Sequence, residues 1–188
     1  MSVDQFAIDD QKLLLRCARD AIQAAFSRKA PPTVSVEAQL EIQRGLFVTL
    51  HKAGQLRGCI GRMNSAAPLI QTIQEMAVAA AFQDPRFPPL NQAELALVDI
   101  ELSILSPMKA SKPKLVQPGL HGVHLHFHGN SGVFLPQVAT EQGWDRETLL
   151  ENLCYKAGVP SGSHLLPGAV LQTFTAFVFG EKQLEQFK

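Results

Sequence analysis

Cysteine is scarce. The 188-residue chain has three, Cys17, Cys59 and Cys154, an odd number that does not make a disulfide framework and points to reduced thiols in the cytoplasm. An excess of charge is also missing, with 17 Lys and Arg against 17 Asp and Glu. General polyanion binders carry a basic excess, so nucleic acid is not the expected main partner. Met1-Ser2-Val3-Asp4 and the following Asp9-Asp10 offer neither the basic region nor the apolar run of a signal peptide. Two stretches, 115–140 and 157–180, lack Asp, Glu, Lys and Arg. Histidines interrupt the first, and Pro160, Gly162, His164 and Pro167 interrupt the second, so neither reads as a membrane span. Phosphate-loop, dinucleotide, Cys-x-x-Cys and His-Glu-x-x-His patterns are absent. What remains, 46% hydrophobic and 18% charged, is the composition of a packed globular chain.

Hydrophobic spacing divides the chain into helices and hairpins. Leu13, Leu14, Cys17, Ala18, Ala21, Ile22 and Ala25 form a helical stripe, with Asp9 or Asp10 placed to cap it. Residues 45–52 and 55–63 read as a hairpin, 66–82 as a helix, and 96–105 as a strand. Three prolines and three lysines in 106–120 mark a connection or lobe boundary. A second hairpin is expected over 123–127 and 132–135, around Gly129-Asn130-Ser131. A helix follows over 146–157, capped by Asp145 and closed by Gly158, and a last strand over 169–179. Interspersed helices and antiparallel pairs define an α+β fold, a mostly antiparallel sheet flanked by helices.

The first hairpin carries the most chemistry. A two-residue loop at Ala53-Gly54 needs positive φ at Ala53, which a Cβ disfavours. A three-residue loop, Lys52-Ala53-Gly54, places His51 opposite Gln55, Thr49 opposite Arg57 and Phe47 opposite Cys59. Leu46, Val48, Leu50, Leu56, Gly58 and Ile60 then make the core face. Phe47, Thr49, His51, Gln55, Arg57 and Cys59 make the other. A guanidinium beside a cysteine favours its thiolate, the reactive form. Gly58 and Gly61 flank Cys59, and glycine inside a strand marks a bulge or a close approach. The bland alternative is that Cys59 is a small apolar filler. His51 shares the face but lies four strand positions away, more than ~12 Å, which gives a Cys–His dyad little support.

Leu56-Arg57-Gly58-Cys59-Ile60-Gly61 resembles the six-residue signature of the AMMECR1 domain family. Residues 45–50, the Asp84-Pro85-Arg86-Phe87-Pro88-Pro89-Leu90 loop, and the block built on 132–138, 143–145 and 153–158 also resemble family segments, in family order. Together they span roughly residues 8 to 180, and the whole chain is expected to be a single domain of this type. The resemblance implies two lobes and a cleft whose wall carries the cysteine motif. The bacterial members that this chain resembles belong to a three-part system with a Memo-like protein and a radical S-adenosylmethionine protein, so those two are the implied partners. No settled reaction or cofactor comes with the resemblance.

Other residues divide between chemical and structural readings. His124, His126 and His128 alternate along a strand, a spacing at which imidazoles can share a metal, or else the polar side of an edge strand. Asp84 and Arg86 sit in a proline-stiffened loop suited to recognition, or else pair with each other, while Phe87 is expected to plug the core. Gln137 follows a strand end and joins Thr49, Arg57, Gly58, Cys59, Gly61, Asp84 and Arg86 in the candidate face. Two functions fit. One is a binding module for a small anionic ligand or a partner protein; the other is a cysteine-dependent enzyme using Cys59 with Arg57 and Thr49.

Overall fold

The computed structural model describes residues 6–34 and 40–184; the Met1–Asp4 stretch weighed for a signal peptide lies outside them. The chain divides into two compact units, Met1–Leu105 with Phe177–Lys188, and Ser106–Ala176. Among the described residues no helix is long and apolar enough to cross a membrane.

In the first unit, α1 (Ile8–Phe26) buries Leu14, Leu15, Cys17, Ala18, Ala21 and Ile22 along one stripe. Asp9 and Asp10 do not cap it. The cap position is Ala7, and the two carboxylates lie inside the first turn, where the positive end of the helix dipole favours them. Strands β1 (Leu46–Lys52), β2 (Gln55–Arg62) and β3 (Val98–Leu105) join β8 (Ala176–Gly180) in a sheet of order β2-β1-β3-β8. Leu46, Val48 and Leu50 of β1 and Ile100, Leu102 and Ile104 of β3 pack with α1 and with α2 (Leu69–Phe82) in one core. The helix α2 sits directly on β2. A Cβ at Gly58 would run into the Ala80 carbonyl oxygen, which explains the glycine. Gly58→Ala is therefore expected to cost about 1–3 kcal/mol through overpacking. An unchanged urea midpoint would contradict that packing.

The first hairpin departs from the expected register. Its loop has two residues, with Ala53 at φ 51° and Gly54 at φ 78°, so Lys52 faces Gln55 and His51 faces Leu56. A bulge then leaves Arg57 without a partner on β1, and Leu50 faces Gly58, Thr49 faces Cys59 and Phe47 faces Gly61. The left-handed turn matches the twist of the strands, and Lys52 and Arg57 both bind Glu94, which holds the loop and the bulge in place. The loop shifts the pairing by one residue and the bulge by another. Because side chains alternate with period two, Cys59 returns to the face of Thr49 and Phe47. Leu56 does not follow the expected pattern: it pairs with His51, off the core face, and is 41% exposed.

The second unit is a sheet of order β4-β7-β5-β6, made of β4 (Lys109–Ala110), β5 (Gly122–Phe127), β6 (Asn130–Phe134) and β7 (Val170–Phe174). Val123, Leu125 and Leu171 pack with Leu149, Leu150, Leu153 and Cys154 of α5 (Arg146–Ala157). As expected, Asp145 caps α5 by accepting from the Thr148 N–H, and Gly158 closes it in the left-handed region. Three further helices are additions: α3 (Gln92–Leu95) in the first unit, α4 (Pro136–Gln142) here, and one after β8. The expected strand 169–179 is two strands. Thr175 lies between them, with Ser106 donating its N–H to the Thr175 carbonyl and accepting the Thr175 N–H through Oγ. A short helix, α6 (Glu181–Leu184), follows β8.

Candidate functional site

Cys59 sits mid-strand on β2, the edge of its sheet, with its own N–H and C=O pointing outward. Unpaired edge groups invite aggregation unless something caps them. Here the Asp84–Arg86 loop takes the place of a neighbouring strand. Asp84 Oδ2 accepts the Cys59 N–H at 2.8 Å, and Arg86 Nη2 donates to the Cys59 carbonyl at 3.2 Å. The two charged groups lock together as well: Arg86 donates to Asp84 from its backbone N–H at 3.1 Å, from Nε at 3.0 Å and from Nη2 at 2.7 Å. The Asp84 side chain is 2% exposed and that of Arg86 is 55% exposed. Arg86 holds the Asp84 carboxyl well below the usual carboxylate range, and the two backbone N–H donors add to this against the opposing effect of burial. Arg86 rests over the Phe87 ring, 5.5 Å from its centre. Phe87 is not the core plug. It stays half-exposed, and Leu90, 3% exposed, fills the core instead, tied by its N–H to the Ala81 carbonyl.

The Cys59 thiol is half-buried, and the Thr49 hydroxyl donates to Sγ at 3.3 Å. His51 lies two residues along β1 from Thr49 on the same face, closer to Cys59 than the expected register allowed. On the other side of Cys59, Gly61 leaves room for the Phe47 ring that covers it.

Arg57 requires a correction. Its place beside Cys59 in the sequence suggested a free guanidinium, but the bulge turns the side chain to Glu94, which accepts from Nε at 3.3 Å and Nη2 at 3.0 Å. Lys52 Nζ binds the same carboxylate at 2.7 Å. Arg57 is 11% and Glu94 14% exposed in their side chains, so this is a mostly buried charge cluster. Its cations, Arg57 first and then Lys52, lower the Glu94 carboxyl to about 2. Glu94 was not among the expected residues, though a signal was present: Asn91-x-x-Glu94 is a capping-box spacing, and both of its hydrogen bonds form at the start of α3.

Gln137 and the histidines belong to the second unit. Gln137 is half-buried in the first turn of α4. His124 and His126 share one side of β5, but His128 leaves the strand for the turn, with φ 48°. His124 Nδ1 bonds Gln172 at 3.1 Å. Among the described residues no group of three or more His, Cys, Asp or Glu is arranged to hold a metal ion.

Comparison with known proteins agrees with the family resemblance. A sequence profile described as AMMECR1 matches residues 15–179. A protein of Methanothermobacter thermautotrophicus is 38% identical over 92% of this chain and 95% of its own length. One from Methanopyrus kandleri is 36% identical over 97% and 93%. The crystal structure of an uncharacterised protein from Pyrococcus horikoshii superimposes with a TM-score of 0.80 at 33% identity, covering 90% of each chain. The chain belongs to the AMMECR1 family.

Proposed function

We propose that the protein is a cytoplasmic recognition domain whose Cys59 strand binds an anionic group, carried either by a small ligand or by a partner protein. The observation that supports this is the double clasp on Cys59. A buried carboxylate and a guanidinium fix the backbone on both sides of a half-exposed thiol, and they hold the outer edge of Arg86 in a set orientation. Such pre-organisation lowers the entropic cost of binding. Thr49, Cys59 and Arg86 are the contact residues in this reading. Gly58 and Gly61 shape the strand, and Arg57 supports it from behind through Glu94. The resemblance to bacterial members of a three-part system supplies the candidate partner, a Memo-like protein, with a radical S-adenosylmethionine protein as the third component.

A second reading, a cysteine-dependent enzyme, is favoured by the Thr49 hydroxyl on the sulfur and by His51 on the same face. It no longer has Arg57 to activate Cys59. Alkylation separates the two. Cys17 and Cys154 are 2% and 0% exposed, and burial pushes the Cys17 thiol up, so both are expected to stay unlabelled in the folded protein. Cys59 should react with iodoacetamide at the rate of an ordinary accessible thiol. A rate about a hundredfold higher at neutral pH would favour the enzyme, since activated cysteines react as thiolates.

A further inference from the structure

Within the first unit, α1, the turn after α3, the start of β3 and α6 line an open cavity of about 620 Å³, and none of the Cys59 contact residues lies in it. That volume falls among those of small-molecule sites, roughly 300–1,000 Å³.

One wall is built from a fixed ion pair. Arg19 donates to both oxygens of Glu181, at 2.6 and 2.5 Å, and to the carbonyls of Leu95 and Val98, at 2.8 and 2.9 Å. Glu181 also accepts the Ile100 N–H at 2.9 Å, so these two charges are spent on each other and on the backbone. The other lining carboxylate, Asp99, accepts the Lys182 N–H at 3.0 Å and lies 4.0 Å from its ammonium. Two cations remain without a lining carboxylate of their own. Lys12 and Arg16 stand one turn apart on α1 and are both exposed. The apolar part of the lining includes Leu15 and Leu184, together with Leu97, which is 62% exposed.

We propose that this cavity binds a small amphipathic anion: a carboxylate or phosphate monoester held by Lys12 and Arg16, with a short aliphatic or aromatic body against Leu97 and Leu184. The apolar body supplies most of the affinity, and the two cations select and orient the head group.

Calorimetric titration of the whole protein with octyl phosphate, inorganic phosphate and octanol tests this. Octyl phosphate should bind at one site, and the other two at least tenfold more weakly. Lys12→Ala combined with Arg16→Ala, and separately Leu97→Ser, should each weaken octyl phosphate at least tenfold. All three side chains are exposed, so melting temperatures should stay close to wild type, and circular dichroism checks this. Equal affinity in the variants, or octanol binding as well as octyl phosphate, would overturn the proposal. So would binding to phosphatidylglycerol vesicles with none to octyl phosphate.

Discussion

Asp84→Ala should lower stability by about 3 kcal/mol, because it strips a buried carboxylate from a charged partner and leaves the Cys59 N–H without its acceptor. For a chain of this size that is a fall in melting temperature of roughly 6–12 °C. Asp84→Asn keeps the shape and one acceptor and should lose less. The same pair governs acid behaviour. Folding favours the ionised form of Asp84, so its contribution is complete above the unfolded carboxyl value, about 3.9, and is lost as pH falls toward the depressed folded value. Glu94 acts in the same direction between its ordinary 4.5 and about 2. Asp84→Asn should therefore flatten the loss of stability below pH 4, measured by urea unfolding across pH. An acid limb parallel to that of wild type would contradict the clasp.

Arg57→Ala is expected to be nearly as damaging, at about 2–3 kcal/mol, since it leaves Glu94 largely buried with Lys52 as its one remaining side-chain cation among the described residues. Arg57→Lys keeps the charge but loses the two-point contact, and should recover only part of the loss. A double-mutant cycle with Glu94→Gln checks the pairing. Coupling of at least about 1 kcal/mol is expected for groups in direct contact. Additive effects, or an Arg57→Ala protein that melts like wild type, would return Arg57 to the candidate face as a guanidinium free to favour the Cys59 thiolate.

Local signals carried much of this structure into the sequence. Asp145 and Gly158 bounded α5 because capping chemistry is a short-range property. Cys59 was assigned the face it occupies because alternation survives a shift of two residues, although the register itself was not readable. That register depends on Glu94, more than thirty residues downstream, binding Lys52 and Arg57 together. The role of Arg57 was misread for the same reason: adjacency to Cys59 is visible in sequence, while a bulge that turns the side chain away is a tertiary event. Thr175, where the expected strand breaks, likewise finds its partner in Ser106, far away in the chain. Helix α4 had readable ends, Pro136 in its first turn and Gly143 in the left-handed region after it, but its short length hid it next to a strand. The pairing of Asp84 with Arg86 was one of two open alternatives, and neither suggested that the loop caps the edge of β2 at Cys59.

The most direct test of the Cys59 face as a recognition surface is the alkylation rate of Cys59 with and without a Memo-like protein, the partner proposed above, read by mass spectrometry at saturating partner. The account predicts a stable complex in which Cys59 labelling slows at least tenfold while Cys17 and Cys154 remain unlabelled. A complex that forms with the Cys59 rate unchanged would contradict the Cys59 face as the recognition surface, and no complex at all would contradict the Memo-like protein as its partner.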